Sequence, residues 1–405
     1  MDRGPQVRIV IPAGEPIVIG LSLPLTGPDG VLGEEERDAA IIALKRWKET
    51  NGDQIGGHEI DVRVEDDGCT EADITAQAAE RLLRAEGLVG VIGPSCSAGA
   101  VAAIPVYTEG GITVISGAVT ETGLTATQTD GYFFRTAYRT DLQGALIGIF
   151  AAQLQAQLVY IVDDGEPYGR DLADRAQQAM EESLATVVRE SVQRGTVDFS
   201  GLAARVAQAN PAFVGFAGFN PEAALLYRQL RDAGYTGLFG AGDAAASRLT
   251  FVEPVGAAEA EGVIFAGCSL TLPEEFIAEF HSVHGYRPDA SPFIAQTVDA
   301  MTILLDAVAA TAEQQQDGSL SIGPVQLRDA VRATDLEDGL SGRVAFDEHG
   351  DRVPRPGDSL DQVVAATIAA QNIEIFPTLG LVPCQVQGGQ LVNTLGPESV
   401  PMNLP

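Results

Sequence analysis

The sequence predicts an α/β protein made of two doubly wound parallel-sheet lobes. Short apolar runs of strand type alternate with segments of helical period through the first 266 residues. The alternation comes as two successive series, one starting near residue 17 and the other near residue 141. A chain of 405 residues is long enough for two or three domains, each with its own core. Alternation of this kind builds parallel sheets through right-handed crossovers, with ligands expected outside the carboxyl ends of the strands.

In the first series, residues 17–22 form an apolar run that stops in turn residues at 25–30. A helix over 34–50 follows, with acids in its first turn, where the helix dipole favours them. Residues 60–64 alternate with period 2 and predict a strand with one wet face. Residues 74–85 predict a helix with Ile74, Ala78 and Leu82 on one face, and the runs 88–92 and 112–115 read as buried parallel strands. The second series has strands at 158–162, 186–188, 213–217, 238–239 and 263–266, with helices at 169–184, 199–209 and 221–233. The last third is less regular: helices at 273–284, 295–312 and 326–333, a polar loop at 314–321, another loop at 352–358, and a strand within 381–392 before a frayed tail.

Composition narrows the function. The net charge is −31, and the only lysines are Lys45 and Lys48. No basic cluster exists to meet phosphates, so nucleic acid is excluded as a partner, as is docking on an anionic membrane surface. No continuous apolar run reaches the ~18 residues of a membrane span; 144–154 comes nearest. Residues 1–5 lack the apolar stretch of a signal peptide, so the chain reads as cytosolic or as a mature chain without its leader. The cysteines Cys69, Cys96, Cys268 and Cys384 contain no C-x-x-C pair, which removes the spacing of a structural metal site. Two disulfides and four inert thiols both remain open on this count.

Chemistry-bearing residues gather at strand ends. Gly93 to Gly99 follows a buried strand and leads into a helix, so its hydroxyls and free amides offer a seat for a carboxylate, with Ser95 or Ser97 contributing. The same stretch lacks the first glycine of a G-x-S-x-G elbow, which weakens a hydrolase reading that would use Ser95 or Ser97. Thr120, after the strand at 112–115, either caps the next segment or adds a second hydroxyl to the same anion. Gly240 to Ala245 matches G-x-G-x-x-A, but the acid inside it, Asp243, would repel a pyrophosphate and suits either a cation or a helix cap. Tyr168 stands in a strand-to-helix loop where it could cover a ligand. His281 and His284 with Glu279 read as a solvated helix face instead of a zinc site.

Taken in order, these loops resemble a known family. The matching stretches are PLTGP at 24–28, EDDGC at 65–69, VIGPSCS at 91–97, YFFRT at 132–136, YG at 168–169, TVDFS at 196–200, NPEAALL at 220–226 and FDEHGD at 346–351. They resemble the type I periplasmic binding proteins of the leucine/isoleucine/valine family, the substrate receptors of branched-chain amino-acid ABC importers. The resemblance implies two lobes joined by three crossovers, lobe 1 being 15–137 with 268–345 and lobe 2 being 138–267 with 346–405. It implies Ser97 and Thr120 as carboxylate-binding hydroxyls, with Cys96, Ala118 and Val119 supplying neighbouring backbone. It implies Tyr168 as the aromatic of the second lobe, Asp243 (usually Glu) against the ligand ammonium, and Phe293 closing the side-chain pocket. Leu32, Phe219 and Asn220 stand where the family often has aromatics, so the ligand's side chain stays open while its amino-acid head group does not.

The family also pairs the cysteines matching Cys69 and Cys96; Cys268 and Cys384 lack a counterpart and are expected to form a second bridge. Residues 354–378 look like an insertion. The implied protein is a non-enzymatic, monomeric receptor without cofactor or metal, periplasmic or extracellular, free or lipid-anchored as a precursor. It would bind a small or apolar amino acid or related carboxylate and hand it to an ABC permease. A ligand-sensing module of the same fold, for an amide or aromatic acid, is the alternative.

Overall fold

The structure, a computed structural model, describes residues 7–126, 131–182, 185–370 and 373–394. The amino-terminal pentapeptide, positions 183–184 and the tail beyond 394 lie outside the described residues. The chain divides into two compact units. The first comprises Met1–Tyr138, Leu272–Pro288 and Phe293–Gln362; the second comprises Arg139–Thr271, Asp289–Pro292 and Val363–Pro405.

The first unit is built on a six-stranded sheet ordered Gln54–Ile55, His58–Asp66, Ile17–Leu23, Leu88–Ile92, Thr113–Ser116, Phe133–Arg135. All pairings are parallel except the short edge hairpin. The first strand in sequence lies inside the sheet and is buried along its whole length, as its unbroken apolar run requires. The chain winds outward from it in both directions, which puts a switch point beside this strand's carboxyl end. The helices Gly30–Asn51 and Ile294–Thr311 pack together over one face of the sheet, with Trp47, Met301 and Leu304 in a shared core.

The helix Ile294–Thr311 has the length and composition of a membrane span, although Gln296, Asp299 and Asp306 interrupt its apolar sequence. Most of it is buried inside this unit, and Asp299 is occupied by the amides of Leu340 and Ser341 at 2.7 and 2.8 Å. The predicted polar loop at 314–321 is a hairpin: Glu313–Gln314 and Leu320–Ile322 pair antiparallel, and the latter also pairs with Ile9–Ile11. Leu320 and Ile322 are the buried inner face that the polar tip conceals in the sequence.

Residues 346–362, expected in lobe 2, belong to the first unit, because Val344–Phe346 pairs with Arg352–Val353 and because Asp351 meets the buried Arg135 at 2.6 Å. Arg352 is likewise buried, on the carbonyls of Thr136 and Ser341, so the predicted loop at 352–358 begins as core.

The second unit is a seven-stranded sheet ordered Gln390–Asn393, Cys384–Gln387, Ile264–Phe265, Leu238–Ala241, Phe213–Ala217, Leu158–Asp163, Thr186–Ser191. The five strands of the second series are parallel. The predicted last strand is a hairpin that adds antiparallel to Ile264–Phe265. Cys268 bonds Cys384 across this junction, which holds residues 268–271 in the second unit and not, as expected above, in the first. Two elements lack a clear sequence signal: the helix Thr140–Gln153 of the second unit, and the helix Leu360–Ala370 inside the 354–378 insertion, which starts in the first unit and belongs to the second from Val363 on.

Candidate functional site

In the first unit, three loops at the carboxyl ends of neighbouring strands converge. The turn after Leu88–Ile92 begins at Gly93, whose φ is +109° and whose missing Cβ would stand 2.0 Å from the Ser22 carbonyl oxygen. Only glycine fits that approach. Cys96, bonded to Cys69, is the N-cap of the helix Ser97–Glu109, and Gly99 packs against the Cys69 carbonyl. The Cys69 loop is itself fixed by acids. Asp66 accepts from the Leu25 amide at 2.9 Å, and Asp67 accepts from the Cys69 amide at 3.0 Å and the Ser22 hydroxyl at 3.2 Å. Burial pushes the Asp67 carboxyl up to about 7.

Ser97 sits buried in the first turn of its helix, where amides lack intrahelical acceptors, and its hydroxyl accepts from the Glu121 amide at 3.3 Å. That bond draws the 118–121 loop alongside it, with Thr120 buried next to Glu121. Ser116 locks the same loop from beneath: its hydroxyl donates to the Pro94 carbonyl at 2.6 Å and accepts from the Ala118 and Val119 amides at 3.2 and 3.0 Å. The amides of Ala118 and Val119 are therefore turned to Ser116. Gly117 abuts Thr297, which brings the amino-terminal turn of Ile294–Thr311 and its N-cap Phe293 to the same end of the sheet. Leu32 lies one turn before Glu36 on one helix face, and Ser95 donates its hydroxyl to Glu36. Cys96, Ser97, Ala118, Val119, Thr120, Phe293 and Leu32 are thus gathered at one end of the first unit. Ser95 is occupied by an acid that the sequence reading did not connect to it.

In the second unit the gathered residues are of opposite character. Tyr168 opens the helix Pro167–Glu182, and its ring meets Phe219 edge-on at 5.5 Å. Burial first, and then the Asp243 carboxylate beside it, hold the Tyr168 phenol well above its ordinary pKa. Asp243 is buried in a three-residue turn after Leu238–Ala241 whose N-cap is Gly242, so neither a dinucleotide helix nor a side-chain cap forms there. Asn220 donates to the Ala245 carbonyl at 3.1 Å and to Thr250 at 2.9 Å, tying its loop to the Asp243 turn. Arg194 stands over the outer face of Phe219 at 4.4 Å, and ion-pairs with Asp164 at 3.8 Å and Glu222 at 3.7 Å. Burial pushes Asp164 up to about 7.

Gln143 Oε1 and Asn220 Oδ1 are buried and make no hydrogen bond within the protein among the described residues. Polar atoms in that state cost stability unless a ligand meets them. Gln143 is a site residue the sequence reading missed; it lies on a helix whose period is masked by apolar residues on every side.

The remaining candidates separate from both groups. Glu279 is held by Lys45 and Arg46, and His284 by Asp38, so the His281/His284 helix face serves packing between helices. No group of three potential metal ligands occurs among the described residues. Both expected disulfides, Cys69–Cys96 and Cys268–Cys384, are formed.

A periplasmic binding protein family model matches residues 16–358. The chain is 26% identical over 355 residues to the leucine-, isoleucine-, valine-, threonine- and alanine-binding protein of Pseudomonas aeruginosa, covering 84% of this chain and 88% of that one. It is 30% identical over 346 residues to Leu/Ile/Val-binding protein homolog 1 of Brucella abortus, covering 83% and 87%. The fold matches the leucine-binding protein LivK of Thermotoga maritima with a TM-score of 0.75 at 24% identity, covering 93% and 97%. It matches a solute-binding protein of R. palustris in complex with benzoate with a TM-score of 0.73 at 18% identity, covering 93% and 95%. With its two α/β units, its strand-end loops and a match over most of its length, the chain belongs to the periplasmic binding proteins, among the branched-chain amino-acid ABC-transporter substrate-binding proteins.

Proposed function

We propose that this chain is an extracytoplasmic receptor for a small α-amino acid, which it delivers to an ABC permease. The ligand carboxylate is received by the first unit, on the Ser97 and Thr120 hydroxyls and the open amides of the helix Ser97–Glu109. The ammonium is received by the second unit, on Asp243 beside Tyr168. A zwitterion leaving water needs hydrogen bonds at its carboxylate and a charge-assisted partner at its ammonium. Each unit offers one of the two, so neither group of residues alone satisfies both ends of the ligand. Leu32, Phe293 and Phe219 suit an apolar side chain such as that of a branched-chain amino acid. The observation that carries this reading is the buried Asp243 carboxylate beside the Tyr168 phenol, together with Gln143 Oε1 and Asn220 Oδ1, which are buried without protein partners among the described residues.

Family membership supports a location outside the cytoplasm and a role as a binding protein instead of an enzyme. An aromatic-acid receptor or sensor of the same fold is disfavoured by Asp243, because an acid without an amine would bring a second negative charge to a buried carboxylate. The test is a thermal-shift titration with leucine, isoleucine, valine, alanine, threonine and benzoate, since a bound ligand stabilises with its occupancy. A saturable rise with at least one amino acid and none with benzoate is expected. A rise with benzoate alone would overturn the amino-acid assignment.

A further inference from the structure

The helix Thr140–Gln153 carries a polar side chain into the interior of the second unit. Gln143 stands in its first turn and is fully buried. The Gln143 Nε2 donates to the Ala266 carbonyl at 2.7 Å. That bond fixes which end of the amide is which, because a flipped amide would set its oxygen against a carbonyl oxygen. Oε1 is therefore an acceptor in a settled position, and it meets no donor among the described residues. A buried acceptor in that state costs stability until a donor reaches it.

Its place in the sheet points to that donor. The Ala266 amide donates to the Ala241 carbonyl at 2.9 Å, so the Gln143 amide lies one strand away from the carboxyl end of Leu238–Ala241, and Asp243 follows two residues later. Between Ala241 and Asp243, a Cβ on Gly242 would stand 2.1 Å from the Tyr168 hydroxyl. The Tyr168 phenol in turn has both the Asp243 carboxylate and the Gln143 amide as neighbours. Gln143, Tyr168, Asp243 and Ala266 all belong to the second unit. An ionised carboxylate and an amide oxygen can only accept, and a primary ammonium brings three N–H donors, enough to serve both at once.

We propose that Gln143 is a specificity-determining residue: its Oε1 accepts a second N–H of the ammonium whose charge Asp243 meets, so primary α-amino acids are selected over N-alkylated ones. This assignment rests on the receptor reading above. The test is calorimetric titration of the whole chain with whichever of leucine, isoleucine, valine, alanine and threonine binds most tightly, and with the N-methyl derivative of that amino acid. The wild type should bind the primary amino acid at least tenfold more tightly, because the N-methyl group leaves one acceptor without its charged donor. Gln143→Met keeps the length of the side chain but offers only a weak acceptor. It should bind the primary amino acid at least tenfold more weakly than the wild type does, and separate the two ligands less than threefold. Gln143→Glu keeps acceptor oxygens and gives up the donor to Ala266; it should lose no more than threefold for the primary amino acid. Should Gln143→Met not fold, the wild-type comparison and Gln143→Glu still decide. Equal wild-type affinities for the two ligands, or an unchanged affinity in Gln143→Met, would overturn the assignment. So would a loss of tenfold or more in Gln143→Glu, which would mark a role in holding Ala266 alone. Failure of all five amino acids to bind the wild type would overturn the receptor reading, and this assignment with it.

Discussion

Removing the Cys69–Cys96 bridge by a Cys69→Ala/Cys96→Ala double substitution probes both the stability of the first unit and the carboxylate loop it carries. The two cysteines are 27 residues apart, and closing a loop of that length removes about 3.5 kcal/mol of unfolded-state entropy at 25 °C. Alanine is chosen because serine at position 96 would supply a helix N-cap and return up to ~1–2 kcal/mol. For a unit of this size, 1 kcal/mol corresponds to about 2–4 °C, so the transition of the first unit should fall by roughly 7–14 °C. Scanning calorimetry at pH 7 reads this directly. Cys268→Ala/Cys384→Ala, which opens a 116-residue separation in the second unit, should lower that unit's transition by about 4.8 kcal/mol on the same model. The affinity consequence is separate: without the bridge, the Ser97 turn loses its tie to the Asp66–Asp67 loop, and amino-acid binding should weaken even at temperatures where the protein stays folded. A first transition lowered by less than about 1 kcal/mol would refute the reasoning, because the loop would then be constrained without the bond.

Three other outcomes follow from the same geometry. Asp351→Ala leaves the buried Arg135 guanidinium without its carboxylate and should cost the first unit about 3–5 kcal/mol in a urea melt. Asp67 and Asp164 both titrate near 7 when folded, against an ordinary 3.8, so the folded chain holds protons that the unfolded chain has released. The stability they contribute is complete below about pH 4 and is lost as pH rises to about 7. Asp67→Asn or Asp164→Asn should flatten that slope in melts recorded from pH 4 to 8. Tyr168→Phe removes the buried hydroxyl that stands beside the Asp243 carboxylate. Its best amino acid should therefore bind more weakly in a calorimetric titration, by the ~0.5–1.5 kcal/mol of one hydrogen bond.

Much of the fold was legible because strand–helix alternation is a local signal. The uninterrupted run at 17–22 and the alternating one at 60–64 announced a fully buried strand and a half-wet neighbour, and both lie side by side in the first sheet. What stayed hidden depends on distant partners. Arg352 reads as part of a charged loop, yet it is buried because Thr136 and Ser341, far apart in sequence, supply acceptors. The hairpin at Glu313–Ile322 looks polar because its turn is polar, while the two residues that bury it are too few to give a period. In the candidate site, Ser97, Tyr168 and Asp243 were recognisable from their strand-end loops and the family pattern. Gln143 and Glu36 were not, since a helix hydrophobic on all sides and a run of three acids, which the structure places in the second turn of Gly30–Asn51 and not the first, carry no mark of the residue each will face.

Amino-acid recognition through Asp243 is tested most directly by calorimetric titration of the wild-type chain and Asp243→Asn. Each is titrated with the best-binding amino acid and with its deaminated analogue. Asp243→Asn should bind the amino acid at least tenfold more weakly, the equivalent of about 1.4 kcal/mol, and bind the analogue as well as or better than the wild type does. Unchanged amino-acid affinity in Asp243→Asn would contradict the assignment of that carboxylate to the ligand ammonium.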